Sequence, residues 1–511
     1  MTVAARVRVP FKSWLGLFVI AAVLSALWVG AQLADINNVM VHPHSPTDHM
    51  SRLLTTLSPA LRDLIAPFQE YDHRARFLTY FTLLVDFRIR MFLYEYVPVF
   101  PTFSITWLLT GLLGPYLLYR CCRNLGSPIY VALSAVLVYV TSIGVLSGFF
   151  MFLMAGKPLS SVLFLAMCEY ATRSHRDGTS RPGRLGYLYL WTLVLMGCFL
   201  DELFFAAIIV YPMLYWIARG KIPATRSAVQ ADIRRAVTTF GPPLAIFVVL
   251  MLLVLPILTS HFWGYRLDYM GVVHNRLEIP GATARYDFNP ANLGPLAYTL
   301  FGVSLIPRQI AEFVAIPGSG VKTAQSVTLL GLLVLASWMF VVARQFARMD
   351  IRQRSRLALM AATALLMILL IALMQARHVP IITGYYYGCI FSAVFALGFA
   401  LAAAPAGVDG TRPRPWTVTA VAAAIALIQL NNFFEINRAF VDYHNVHRDY
   451  YETARFEDIQ KHPFTWHELR DIHTAWKEKR LPEFLSQHTV SDAAWYELME
   501  FRHIDHLKGM R

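Results

Sequence analysis

The sequence predicts an all-α protein: a polytopic membrane bundle of about eleven transmembrane helices, with interfacial helices in its outer loops and a short helical tail. Three observations predict it. Apolar runs of about 18 residues or more recur along the whole chain. Of the 511 residues, 56% are hydrophobic and only 15% charged, whereas soluble domains carry about 25% charged residues. Lys and Arg also concentrate in alternate short connections, the pattern that orients helices across a bilayer.

Taken in order, Arg6, Arg8 and Lys12 assign the N-terminus to the cytoplasm, and span 1 covers 14–33. That run is about 20 residues and lacks a small-residue cleavage site, so it reads as a retained anchor. A long outer loop, 34–100, follows. Within it, 50–66 has the spacing of a surface helix. Segment 77–97 is apolar but interrupted by Asp86, Arg88, Arg90 and Glu95, which are too costly at bilayer depth, so it reads as interfacial. Span 2 (101–119) returns to Arg120 and Arg123. Spans 3 (128–147) and 4 (158–172) are joined outside by a short loop with Gly156, Lys157 and Pro158. Spans 5 (185–200) and 6 (203–218) form a tight hairpin tipped by Asp201 and Glu202. Span 7 covers 239–259.

The second outer loop, 260–324, contains a moderately apolar stretch, 292–316, read as interfacial or re-entrant. Spans 8 (325–343), 9 (357–374), 10 (381–403) and 11 (416–434) complete a membrane domain over 1–435. The remainder, 436–511, reads as an extracytoplasmic tail of short helices anchored by Trp466, Trp476 and Trp495.

Charge and cysteines exclude other classes. The expected inner segments hold 21 Lys and Arg against four acids. The net charge of +13 is thus mostly topology and contact with anionic lipid, and nucleic acid is not an expected partner. The five cysteines lie in or beside apolar segments without metal-ligand spacing, so neither a disulfide framework nor a zinc site is expected.

Candidate chemistry collects at the outer boundary. The first outer loop carries seven acids and six bases between Ala34 and Val97. Asp35, one residue past span 1, sits where partial desolvation raises a carboxyl pKa and suits a general base; its plainer reading is a polar helix end. In the cluster from Glu70 to Arg76, Arg74 and Arg76 fall at headgroup depth, where guanidinium forks bind phosphate; a solvated loop with an N-cap is the alternative. Asp201 and Glu202 are either turn formers or cavity-facing acids. Arg377 and His378, followed by Tyr385, Tyr386 and Tyr387, read as a snorkelling anchor and aromatic belt, or as a phosphate clamp with an aromatic wall. His42, His44 and His49 with Asp48 have metal-like composition, but Pro43 and Pro46 break any helical register.

In their order, these stretches resemble the lipid-sugar glycosyltransferases of the GT-C type, in particular the transmembrane O-mannosyltransferases with tetratricopeptide tails and their bacterial relatives. The resemblance rests on Ala34 to Val39 with His42-Pro43, on His73 to Leu78, on Ser104 to Gly126, on Gly197 to Tyr215, on Asp287 to Pro290 and on Arg377 to Tyr387. It departs in three places: one carboxylate, Asp35, stands where the family has an acidic pair; Ala75 replaces a proline; and Asp201 replaces the Lys before the family's Glu.

The resemblance implies an inverting enzyme, expected in a bacterial inner membrane; the count of eleven spans puts its C-terminus on the extracytoplasmic side. It would move a sugar from a polyprenyl-phosphate donor to an acceptor protein or glycan. Asp35 would act as base and Glu202 as orienting acid. Arg76 and Arg377, with Arg74 and His378 behind them, would bind the lipid phosphate, and Tyr385 would contribute an aromatic wall. A divalent metal is compatible with this reading but not required by it. Rival readings are a lipid-linked sugar transporter or flippase, an oligosaccharide polymerase or ligase, and a non-catalytic scaffold.

Overall fold

The computed structural model describes residues 109–150, 156–177, 182–201, 203–220, 225–254, 301–307, 349–375, 388–403 and 414–445, together with isolated positions that include Trp14, Gly16, Leu78, Thr79, Leu296 and Leu300. Among the described residues the chain is all-α with no strand. The helices are α1 (Gly114–Asn124), α2 (Ile129–Val140), α3 (Ile143–Phe150), α4 (Gly156–Arg176), α5 (Arg184–Leu200), α6 (Leu203–Arg219), α7 (Arg226–Val249), α8 (Ile351–Gln375), α9 (Gly388–Ala403) and α10 (Pro415–Asn445). A π-helical turn, Leu109–Leu113, leads into α1, and another, Leu250–Val254, prolongs α7.

Among the described residues, three helical stretches are long and apolar enough to cross a membrane: Arg226–Val254, Ile351–Leu370 and Pro415–Phe434. They correspond to expected spans 7, 9 and 11. Shorter apolar helices, Ile129–Val140, Arg184–Leu200, Phe204–Arg219 and Gly388–Ala403, stand at the positions of spans 3, 5, 6 and 10. The exposed side chains Ile246, Val248, Val249, Leu252 and Leu253 give α7 and its extension an apolar outer surface.

The core is built by α4 packed on α1 and α6, α6 on α8, α2 on α9 and α10, and α5 on α7. Phe164, Phe204, Phe391 and Tyr139 are wholly buried in it. Burying Tyr139 demands a partner for its hydroxyl, and Ser161 Oγ supplies one at 2.6 Å.

Helix ends fall into two groups. At one end of the bundle gather Arg123, Arg176, Arg219, Arg352 and Arg356. Two helices stop there on glycines with positive φ, Gly126 (91°) after α1 and Gly220 (64°) after α6. The glycine N–H groups close back on Arg123 O and Trp216 O, and other last-turn carbonyls are satisfied from outside. Arg356 does so across elements: its guanidinium donates to Ile217 O, Ala218 O and Leu125 O at 3.0–3.1 Å. Two helices that start at this end are capped by side chains, α7 by Thr225 Oγ1 accepting from Ala228 N and α8 by Asp350 Oδ1 accepting from Gln353 N.

The opposite end is held by a buried amide network. Gln429 Nε2 donates to Ser304 Oγ at 2.9 Å, and Asn432 Nδ2 donates to Val303 O and Ile306 O at 2.7 and 2.8 Å. These bonds seat a 3-10 turn of the expected second outer loop, Gly302–Ser304, on α10. Phe301 adds an edge-on contact with Phe391. Within expected 292–316, the described core contact is thus a short turn with buried Leu296, Leu300 and Phe301.

Expected span 3 is interrupted. α2 ends at Val140 and α3 begins at Ile143. Between them Ser142 Oγ donates to Tyr139 O at 2.7 Å and accepts from Val145 N, so the hydroxyl replaces ladder bonds and restarts the helix. Thr141 Oγ1 lies 2.8 Å from Leu137 O and 2.6 Å from Gln429 Oε1. The break therefore faces the same amide network.

Candidate functional site

The polar centre at the end away from the arginines is built around the first turn of α4. Read from sequence, Gly156, Lys157 and Pro158 form an outer loop; the structure makes them helical and buried. Pro158 suits a first turn, where no backbone donor is needed. Lys157 is thereby carried into the bundle. Its Nζ lies 4.0 Å from Asp201 Oδ2, and the two side chains are 5% and 2% exposed. A lone buried charge is prohibitive, so each group depends on the other.

Asp201 reaches this position because α5 ends there. Its backbone is extended, with φ −159° and ψ 144°. Its N–H donates to Gly197 O, and its carbonyl accepts from Phe204 N, which starts α6. Gly197 makes the turn compact, since a β-carbon there would overlap the Phe204 ring.

Two further segments reach the same turn. Thr79, from the first outer loop, donates through Oγ1 to Leu200 O at 2.6 Å, and a β-carbon on Gly156 would overlap both of those atoms. Thr79 is helical, as expected for 77–97, and Leu78 beside it packs on the core. From α9, Cys389 Sγ donates to Lys157 O at 2.7 Å. Next to this contact, Gly144 of α3 abuts the backbone of Gly388 and Cys389.

The candidates Asp35, Arg74, Arg76, Glu202, Arg377, His378 and Tyr385 lie outside the described residues, as do His42, His44, His49 and Asp48. Their described chain neighbours are informative. Thr79 follows Arg76 closely, Asp201 precedes Glu202, and Gly388 and Cys389 follow Tyr385. These neighbours converge on Gly156 and Lys157. Among the described residues, no three His, Cys, Asp or Glu side chains come together as metal ligands.

Sequence reading passed over Lys157 and Glu169. Both were legible as the sole charges between Asn124 and Arg173, a stretch long enough for two spans. Glu169 is buried and serves α4 structurally: its carboxylate takes Arg120 Nη2 at 3.2 Å and Arg173 Nε at 3.7 Å.

At the arginine-rich end, His175 accepts from Arg352 Nη2 across 3.2 Å. Burial, then the charges of Arg352, Arg356 and Arg219, hold its pKa below the ordinary value.

Compared with protein-family models, with curated proteins and with solved structures, the chain matches none.

Proposed function

We propose that the chain is a GT-C-like membrane glycosyltransferase that moves a sugar from a polyprenyl-phosphate donor to an acceptor on the extracytoplasmic side. On this reading the arginine-rich end is cytoplasmic, the polar centre around Lys157 faces outward, and the protein is multi-pass with its N-terminus inside. One observation carries the proposal. The segments adjoining Arg76, Glu202 and Tyr385 come together around a buried acid and a buried base, at the end of the bundle away from the arginines.

The chemistry follows from the assigned residues. Asp35 takes the proton of the acceptor hydroxyl. The acceptor oxygen bonds to the anomeric carbon while the bond to the phosphate oxygen breaks. The electron pair leaves with the lipid phosphate, whose charge Arg76 and Arg377 stabilise, backed by Arg74 and His378. A single displacement of this kind inverts the anomeric centre. Glu202 orients a sugar hydroxyl or a phosphate-binding Arg, and Tyr385 walls the sugar. The Lys157–Asp201 pair acts as a positioning element for the turn that Glu202 follows. The apolar faces of the later helices line a groove for the polyprenyl chain.

The test is an in vitro transfer assay with polyprenyl-phosphate sugars, run on the wild type beside Asp35→Asn. Transfer by the wild type and its loss in the variant is the expected result; normal turnover by Asp35→Asn removes Asp35 as base. A second reading, a transporter for lipid-linked sugar, is favoured by the burial of Lys157 and Asp201 inside the bundle, since buried charges often mark transport pathways. Lipid movement without transfer in the same vesicles would select it. A polymerase or ligase would instead show transfer that survives Asp35→Asn but not the loss of Arg377.

A further inference from the structure

At the arginine-rich end, α4, α5, α6 and α7 leave a narrow crevice that is open to its surroundings. Its walls are aromatic and apolar, with Tyr170, Leu190, Tyr211 and Tyr215 among them, and Arg235 and Asp232 supply charge. Asp232 is buried and shared. Arg219 Nη1 approaches its Oδ2 at 3.2 Å and Arg235 Nη1 its Oδ1 at 3.4 Å. Trp216 Nε1 also donates to Oδ2 at 3.0 Å.

Both guanidinium groups lie over the same Tyr215 ring, 4.3 and 5.3 Å from its centroid. One carboxylate therefore holds two guanidiniums in place and leaves a net positive charge, with the arginine side chains 32% and 26% exposed. Each guanidinium has five N–H donors and spends only Nη1 on Asp232. The surroundings add to the charge. Arg352 and Arg356 stand at the adjacent start of α8, and their field, with that of Arg219, is felt at His175.

Arg219 stands beside the lining pair Asp232 and Arg235 and supplies the one excess positive charge; what suits such a site, with aromatic walls, is an anion that also carries apolar bulk. The helices that frame the crevice say the same. α5, which gives Leu190 to the wall, exposes Leu185 and Leu188, and α7, which gives Arg235 and Ala236, exposes Ile233 and Val237. A free phosphate would use the arginines and leave the aromatic walls unused; a zwitterionic lipid would leave the excess charge unanswered.

We infer that the crevice between α4 and α7 is a binding site for a single anionic phospholipid, its phosphate on Arg219 and Arg235 and its acyl chain along the aromatic wall. The inference goes beyond sugar transfer and does not depend on it. It adds a lipid contact at the end of the bundle opposite the Lys157–Asp201 centre, one that ties the ends of α4, α6 and α7 together.

The full chain, purified in mild detergent, is titrated with phosphatidylglycerol, with phosphatidylcholine of matched chains and with inorganic phosphate, and bound lipid is read by native mass spectrometry. The expected result is phosphatidylglycerol retained about fivefold over phosphatidylcholine, the effect of one basic charge at a lipid surface. Arg235→Gln removes that preference. Ala236→Trp, which fills the crevice and leaves every charge in place, lowers retention of the lipid. Equal retention of the two lipids overturns the inference, as does unchanged retention in Ala236→Trp. Full displacement of phosphatidylglycerol by inorganic phosphate would make the ligand a free anion and overturn it too. Should Arg235→Gln fail to fold, Ala236→Trp and the comparison of lipids decide the matter alone.

Discussion

At the residue scale, the most consequential feature is the pair Lys157 and Asp201. Each is almost wholly buried, and each makes the other tolerable. Removing one partner strands the other charge. Lys157→Met is expected to lower unfolding stability by about 3–5 kcal/mol, with Lys157→Met/Asp201→Leu recovering much of the loss. A double-mutant cycle on thermal unfolding in detergent checks this; additive losses would show that the two groups are not coupled. His175 gives a pH signature. Its folded pKa lies below the ordinary value because burial and three arginines oppose its charge. The unfolded chain therefore binds the proton first on acidification. Stability is full above the ordinary His pKa of about 6.5 and falls as pH drops through it toward the folded pKa. The midpoint of thermal unfolding is expected to fall between pH 7.5 and pH 5.5 in the wild type, and to fall less in His175→Gln.

At the element scale, the short helices are held by close backbone approaches rather than by length. Gly144 on α3 abuts the backbone of α9 at Gly388 and Cys389, and backbone cannot swing aside as a long side chain can. Gly144→Ala is expected to cost about 1–3 kcal/mol as the two helices are forced apart. Chemical denaturation of the purified protein reads it, with Gly183→Ala as the control, since a β-carbon there meets nothing within 4 Å. The expected outer loops are tied down by single polar bonds of long reach. Thr79 and Leu200, 121 residues apart, make one; Ser304 and Gln429, 125 apart, make another. Such pairings leave no periodic trace in sequence. The hydroxyls of Thr141 and Ser142 were visible, but a run of apolar residues around them reads as one span, and only the bonds they make divide it into α2 and α3.

At the scale of the whole molecule, the two groups of helix ends give the bundle a polarity. All the described arginines on α1, α4, α6 and α8 contacts named above lie at one end, and the Lys157–Asp201 centre lies at the other. Read with the bias of basic residues toward the cytoplasm, this polarity gives the proposed orientation, which can be tested. The five native cysteines are buried, so a new surface thiol reports by itself. Ser227→Cys, exposed at the start of α7, is expected to react with an impermeant maleimide in inside-out vesicles and to stay unlabelled in right-side-out vesicles. The reverse pattern would invert the topology and move the proposed sugar-transfer centre to the cytoplasm.

The sequence by itself determined the class: an all-α chain with span-length apolar helices and a directional charge bias. Hydropathy and charge are sums over neighbouring residues, so they can be read along one dimension. Only the tertiary structure decided that Lys157 is a buried partner of Asp201 rather than a loop residue, and that expected span 3 breaks at Thr141 and Ser142. It alone brought Thr79, Leu200 and Cys389 to one turn. The physical reason is that a buried polar group is stable only with its partner, and these partners come from helices far apart in the chain. What a charge does inside an apolar bundle depends on what folds against it.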